Sequence, residues 1–231
     1  MELIIFDVDG TLVYSDKRDS RVFAQTYEAV YQKPFPSIDW RQFPHVTDNI
    51  IFGTVIRQHF QRTPSTEETA DFQSIYMEAL RREREKQPEH FREVPGARQA
   101  ITQLQQTDRL IGIGTGGWKT PAHIKLSHVG ITVEDRLFSG GDNKPNREAI
   151  LEETIVAAED LNGGALSRIV YLGDAEWDVA TTRNLQIDFV GVRRLGDLET
   201  LHAIGAETVI QDYTCYATFE AALQAARPPK K

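Results

Sequence analysis

Short apolar runs alternate with longer amphipathic segments at the start of the chain and again from about residue 90 onward. The runs are LIIF at 3–6, LIGIG at 110–114, RIVYLG at 168–173, DFVGV at 188–192 and TVI at 208–210. Runs of this length, separated by helical patterns, are typical of βα units whose parallel sheet is buried on both faces. The pattern predicts an α/β fold with a doubly wound, mostly parallel sheet.

Helical patterns fill the intervals between these runs. They cover residues 96–105, 119–129, 146–161, 176–185 and 217–226. Residues 15–89 contain no strand-like run and carry three further helical patterns, at 20–32, 47–60 and 65–87. The sequence therefore predicts a core domain formed by residues 1–14 and 90–231, with a helical domain at 15–89 inserted after the first strand.

Composition narrows the classes of partner and compartment. Of the 231 residues, 26 are Lys or Arg and 34 are Asp or Glu, so the formal net charge is -8. This acidic balance excludes nucleic acid and membrane surfaces as expected partners, because both attract a basic face. The N-terminal apolar run is too short for a signal peptide, and the single cysteine, Cys215, fits a reducing compartment. We therefore expect a cytoplasmic protein, which could be a monomer or a dimer.

Three apolar runs end in residues suited to chemistry. LIIF leads into Asp7, LIGIG into Thr115 and RIVYLG into Asp174. Because the carboxyl ends of parallel strands share one edge of the sheet, where such folds bind ligands, these residues are predicted to converge.

Two pairs of acids lie at this predicted edge. Asp7 and Asp9 are two residues apart, so they point the same way, and one can attack while the other handles a proton. The alternative is that Asp9 and Gly10 only form a turn. Asp174 and Asp178 are one helical turn apart, and the alternative makes them a helix cap and a first-turn acid. Clustered carboxylates repel one another unless a cation neutralises them, so the sequence predicts Mg²⁺.

Thr115 begins a candidate anion site. A hydroxyl and free backbone N–H groups at a helix N-terminus suit phosphate oxygens, and Gly116 follows directly. An alternative is a dinucleotide fingerprint, since Gly112, Gly114 and Gly117 fit G-x-G-x-x-G between a strand and a helix. The two glycines inside the apolar run argue against that alternative.

A cation is expected near the same edge to balance phosphoryl charge. Lys144 stands just ahead of a helical pattern whose following strand leads to Asp174. Arg147 is the alternative, and Lys144 could also be an ordinary solvated lysine.

As a set, these residues resemble the four motifs of the haloacid dehalogenase-like hydrolase superfamily. The resemblance lies in DVDGT at 7–11, Thr115, Lys144-Pro145 and Gly173-Asp174 with Asp178, in the family's order. Residues 15–89 resemble the α-helical cap of its phosphoglycolate phosphatase-like branch. Two positions depart from the usual pattern: Tyr14 stands where many relatives have Asp, and Gly116 where Asn is more usual.

The resemblance implies a role for each matched residue. Asp7 would attack phosphorus to form an aspartyl-phosphate, and Asp9 would protonate the leaving oxygen and then activate water. Thr115 and Lys144 would hold the phosphoryl group. Asp7, the backbone carbonyl of Asp9 and Asp174 would bind Mg²⁺, with support from Asp178.

The implied function is a Mg²⁺-dependent phosphatase. A lid over the site implies a small phosphorylated metabolite as substrate, because closure must exclude water. Gly116, Thr47 and Asp48 are candidate substrate contacts, although Thr47 and Asp48 are also a good helix start. Two alternatives stay open: a phosphosugar mutase of the β-phosphoglucomutase type, and a catalytically silent, ligand-sensing member of the fold.

Overall fold

A computed structural model describes residues 1–15, 17–43, 45–194 and 196–231. Within these residues the strands are β1 Glu2–Phe6, β2 Val13–Tyr14, β3 Arg92–Glu93, β4 Leu110–Gly114, β5 Phe138–Ser139, β6 Arg168–Gly173, β7 Asp188–Val192 and β8 Val209–Ile210. Six of them form one sheet in the order β5-β4-β1-β6-β7-β8, and all neighbouring pairs are parallel. The other two, β2 and β3, pair antiparallel.

Helices cover both faces of the large sheet. The helices are α1 Arg18–Tyr31, α2 Asp48–Phe60, α3 Thr66–Lys86, α4 Ala97–Leu104, α5 Lys119–His128, α6 Arg147–Asn162, α7 Glu176–Leu185, α8 Glu199–His202 and α9 Tyr216–Ala225. Ile4 and Phe6 of β1 pack with α4, α5 and α9, whereas Leu3 and Ile5 pack with α6, α7 and α8. This alternation follows from the two-residue period of a strand. The predicted doubly wound parallel sheet is confirmed.

Four short elements were not predicted, whereas the equally short β8 was, as the run TVI at 208–210. Strands β2, β3 and β5 have two residues each, and α8 has four. Two residues cannot show a period, and these strands exist because a neighbouring strand supplies backbone partners. Sequence pattern therefore located the long buried strands and β8, and missed β2, β3 and β5.

Helices α1, α2 and α3 lie between β2 and β3 in the chain and share an aromatic core, which we call the helical block. Phe23, Phe52 and Phe72 are fully or almost fully buried in it, and Phe52 stacks on Phe72 with ring centroids 4.5 Å apart. Trp118, at the start of α5, is also buried there and stacks on Phe23. Its bulk therefore fills the interface between α5 and the helical block. That residues 15–89 form a separate domain stays a prediction.

Gly112 and Gly114 lie within β4, where they allow α6 to approach the sheet. A Cβ on Gly112 would lie 2.7 Å from Cγ2 of Thr154, and one on Gly114 would overlap Leu151. Packing against α6 accounts for both glycines, so they give the dinucleotide alternative no support.

None of the helices described is both long enough and apolar enough to span a bilayer.

Candidate active site

A cavity of about 350 Å³ lies at the carboxyl ends of β1, β4 and β6, between the sheet and the helical block. Most of the predicted site residues line it: Asp7, Asp9, Thr47, Asp48, Thr115, Gly116 and Asp174. The convergence expected from the strand ends is therefore present. Asp178 lies behind the lining, and Lys144 lies away from it.

Asp7 stands at the end of β1, where its backbone N–H donates to the carbonyl of Leu172 in β6 at 2.9 Å. Its side chain is buried, and Oδ1 lies 3.6 Å from Nη2 of Arg147. Burial, reinforced by the nearby Asp178 carboxylate and opposed by Arg147, raises the pKa of Asp7 to about 6. A further positive charge beside Asp7 would therefore stabilise its ionised carboxylate.

The carboxylates of Asp7, Asp174 and Asp178 each offer an oxygen within 4.8 Å of the others. Removal from water, together with the charges of Asp178 and Asp7, raises the pKa of Asp174 well above its usual range. A divalent cation would reverse these shifts, and a set of oxygen donors suits Mg²⁺. The acids fit the predicted ion.

Asp178 is completely buried, and hydrogen bonds occupy both of its carboxylate oxygens. Oδ2 accepts from the backbone N–H groups of Asp174 at 3.1 Å and Ala175 at 3.0 Å. Oδ1 accepts from Nη2 of Arg147 at 2.5 Å and from the hydroxyl of Tyr171 at 3.2 Å. Asp178 therefore holds the loop that carries Asp174, and this geometry favours its predicted supporting role over direct ligation.

Gly10 lets the loop after β1 pass directly against Asp174. Its φ of +81° is left-handed, and a Cβ there would overlap the Asp174 carboxylate. Any side chain at this position would displace a predicted metal ligand.

Asp9 is half-buried, and its carboxylate contacts a lysine that sequence reasoning missed. Nζ of Lys125, in α5, donates to Oδ2 of Asp9 and also to Oδ2 of Asp19, the latter at 3.0 Å. Loss of water raises the pKa of Asp9 well above its usual range, although Lys125 opposes the shift. The signal for Lys125 was weak, since only its position between the apolar residues Ile124 and Leu126 suggests burial.

Thr115 follows β4, and its side chain is buried against the cavity. Its Oγ1 accepts from the backbone N–H of Gly117 at 3.3 Å. A Cβ on Gly116 would overlap both the Arg147 guanidinium and the carbonyl oxygen of Val46. Gly116 therefore makes room for an arginine to reach the cavity.

Arg147, the first residue of α6, occupies the place expected for Lys144. Its side chain is buried, and Nη1 donates to the carbonyl of Val46 at 3.2 Å. Nζ of Lys144 instead pairs with Oε1 of Glu153 at 2.7 Å. The structure does not bring Lys144 to Asp7, because Asn146 caps α6 and directs the next residue, Arg147, inward.

Thr47 and Asp48 line the cavity, but both are engaged by backbone groups. Oγ1 of Thr47 caps α2 by accepting from the N–H of Ile50 at 3.3 Å. Oδ2 of Asp48 accepts from the N–H of Trp118 at 2.9 Å, and its own N–H donates to the carbonyl of Gly116. These bonds tie the helical block to the loop after β4, and substrate contact by the pair stays a prediction.

Comparison with known proteins finds that this chain is similar to hydrolases. Residues 4–192 match the family model for haloacid dehalogenase-like hydrolases. A phosphoglycolate phosphatase of Rhodobacter capsulatus is 28% identical over 192 residues, covering 81% of this chain and 82% of the relative.

Two solved structures have similar folds. A hydrolase from Pseudomonas syringae has a TM-score of 0.68 and 18% identity, covering 96% of this chain and 98% of that one. CbbY from Rhodobacter sphaeroides, solved with phosphate, has a TM-score of 0.62 and 14% identity, covering 93% and 95%. At these identities the likeness concerns the fold.

Proposed function

The chain belongs to the haloacid dehalogenase-like hydrolase family, and from that premise we propose that it is a Mg²⁺-dependent phosphatase of a small phosphorylated metabolite. The observation that carries the proposal is the convergence of Asp7, Asp9, Asp174, Thr115 and Arg147 on one cavity. Phosphoryl transfer depends mainly on positioning and charge neutralisation, which this set provides.

In the first step, a carboxylate oxygen of Asp7 attacks phosphorus as the bond from phosphorus to the ester oxygen breaks. Asp9 gives its proton to that leaving oxygen, so an alcohol departs and an aspartyl-phosphate remains on Asp7. Burial raises the pKa of Asp9 well above its usual range, which favours the protonated form that a general acid needs.

In the second step, Asp9 is a carboxylate and removes a proton from water. The water oxygen attacks phosphorus, the bond to Asp7 breaks, and inorganic phosphate leaves with Asp7 ionised again. Asp9 regains its proton, so both residues return to their starting states.

The remaining residues hold the phosphoryl group and the cation. Thr115 offers a hydroxyl, and Arg147 offers the fixed positive charge that we assign in place of Lys144. Mg²⁺, held by the carboxylates of Asp7 and Asp174 and the carbonyl of Asp9, would neutralise charge on the phosphoryl oxygens. Asp178 positions the Asp174 loop.

The substrate is proposed to be a small metabolite, since the cavity holds about 350 Å³ and the helical block covers it. The phosphoglycolate phosphatase of Rhodobacter capsulatus makes phosphoglycolate a first compound to test. Gly116, Thr47 and Asp48 would form the wall facing the substrate.

The single cysteine, Cys215, is the basis for proposing a cytoplasmic location.

The test is release of inorganic phosphate from a panel of esters, with Mg²⁺ and with EDTA. The panel contains phosphoglycolate, glycerol 3-phosphate, glucose 6-phosphate, glucose 1-phosphate and 4-nitrophenyl phosphate. We expect hydrolysis that requires Mg²⁺. Conversion of glucose 1-phosphate to its isomer without free phosphate would instead establish the mutase alternative, and no turnover of any ester would contradict the proposal.

Mg²⁺ is expected to stabilise the protein more at about pH 7.5 than at about pH 5. Burial raises the pKa of Asp7 from 3.8 to about 6 in the metal-free folded protein. Between these two pH values, Asp7 holds a proton in the folded protein but has lost it in the unfolded chain. The metal-free protein therefore loses stability as pH rises through this window, and Mg²⁺ restores it only where Asp7 is ionised.

The measurement is the rise in Tm on adding MgCl₂ at each pH, for the wild type and for Asp7→Asn. The variant should show a smaller rise with a weaker pH dependence, because Asp174 still has a raised pKa. An equal rise for the wild type at both pH values would contradict this assignment of the metal site.

A further inference from the structure

We infer that Lys125 is a positioning residue that holds the carboxyl group of Asp9 for proton transfer, a role that rests on the proposed function and extends it. Nζ of Lys125 contacts Oδ2 of Asp9, and within the described residues no other group donates a hydrogen bond to that carboxylate. Asp9 must reach first the leaving oxygen and then water, so its orientation matters directly.

The environment of Lys125 is unusual for a lysine. The residue is 3% exposed, although it lies on a helix whose other lysine, Lys119, has its ammonium near the surface. Lysines are almost never buried without a partner, because removing an ammonium from water is costly. Two carboxylates, those of Asp9 and Asp19, compensate for this burial.

Asp19 fixes Lys125 from the opposite side. It lies in the first turn of α1, and its Oδ1 accepts from the hydroxyl of Ser15 at 2.7 Å. Its Oδ2 accepts from Nζ of Lys125 at 3.0 Å. A continuous chain of contacts therefore runs from Ser15 through Asp19 and Lys125 to Asp9.

This chain of contacts links the core to the helical block. Asp9 lies in the loop after β1 and Lys125 in α5, whereas Asp19 belongs to α1 of the helical block. The hydrogen bond from Lys125, whose ammonium Asp19 holds in turn, restricts rotation of the Asp9 side chain. Without Lys125, the carboxyl group of Asp9 loses its hydrogen-bond donor, and we expect it to leave the orientation that proton transfer needs.

The test compares two leaving groups in Lys125→Met. An alkoxide must be protonated as it leaves, whereas 4-nitrophenolate leaves without a proton. We expect kcat/KM to fall about 100-fold for the alkyl ester that the wild type hydrolyses fastest in the panel, and less than about 3-fold for 4-nitrophenyl phosphate. Lys125→Arg should restore part of the loss.

A double-mutant cycle tests whether the effect of Lys125→Met depends on Asp9. In an Asp9→Asn background, Lys125→Met should cause no further loss with the alkyl ester, because the group it positions is gone. Equal losses with both leaving groups, or a further loss in that background, would overturn the inference.

Two variants control for folding. Lys119→Met removes a lysine of the same helix that pairs with Asp135 at 3.0 Å on the surface, and should retain wild-type kinetics. If Lys125→Met does not fold because two buried carboxylates lose their partner, Lys125→Met with Asp19→Asn removes one of those charges and should show the same leaving-group pattern. Absence of hydrolysis by the wild type would refute the proposed function itself, which is a separate outcome.

Discussion

Replacing Asp7 by Asn is expected to lower kcat for phosphate release by at least about 10⁴-fold, because the amide oxygen is a far weaker nucleophile than a carboxylate. The change keeps the size of the side chain and removes its charge. It also removes a predicted ligand of Mg²⁺. No other described carboxylate replaces Asp7 at the end of β1, so little activity should remain.

The structure also predicts that the Asp7→Asn protein folds normally. The pKa of Asp7 is raised to about 6 by burial and by Asp178, so its charge is unfavourable without a cation. Removing that charge should leave the Tm of the metal-free protein unchanged or higher. A low activity can then be attributed to chemistry.

The measurement is steady-state phosphate release, together with mass spectrometry of the wild type quenched in acid during turnover. We expect a phosphoryl group on a peptide containing Asp7 in the wild type and none in the variant. Asp108→Asn, an exposed aspartate in a turn, is the matched control. Retention of more than about 1% of activity by Asp7→Asn would remove Asp7 as the nucleophile.

The strand ends could be predicted because buried strands have a strong signal. LIIF, LIGIG and RIVYLG are long enough to identify, and parallel strands necessarily bring their carboxyl ends to one edge. The convergence of Asp7, Thr115 and Asp174 followed from those two facts.

Long-range contacts between side chains could not be predicted in the same way. Lys125 is buried only because Asp9 and Asp19, distant in the sequence, approach it from two sides. The segment HIKLSH carries no period that distinguishes such a lysine from a surface one. The local pattern of residues predicts which apolar side chains are buried. It does not predict which charged side chains are buried against partners distant in the sequence.

The sequence left Lys144 and Arg147 as alternatives because both stand close to the start of α6. The two residues are three positions apart, and the cap at Asn146 determines which of them faces the sheet edge. Gly116 was the available signal, because its lack of a side chain provides space for a larger cation. The sequence placed the start of this helix at residue 146, one residue from the observed start at Arg147, but a helix start alone does not show which of two nearby cations turns toward the sheet edge.

Arg147→Gln is therefore expected to lower kcat by about 100- to 1,000-fold, whereas Lys144→Gln should change it less than about 2-fold. Arg147 lies beside Asp7 and donates to Asp178, to Tyr171 and to the carbonyl of Val46. Glutamine keeps some hydrogen bonding and loses the positive charge that balances the phosphoryl group. Among the described side chains, Lys144 pairs only with the half-exposed Glu153.

The stabilities of the two variants should differ as well. Loss of Arg147 leaves the fully buried Asp178 without its cation, and removing one partner of a buried pair costs about 3 kcal/mol. Loss of Lys144 breaks an exposed pair with Glu153, which contributes at most about 1 kcal/mol.

Thermal unfolding and kinetics at a temperature below both Tm values separate the two effects. Arg147→Lys should recover stability only in part, because one ammonium cannot reach Val46, Tyr171 and Asp178 together. A loss of activity in Lys144→Gln comparable to that in Arg147→Gln would restore Lys144 as the phosphate-balancing cation. Full activity in Arg147→Gln would show instead that Thr115 and the metal hold the phosphoryl group without a fixed side-chain cation.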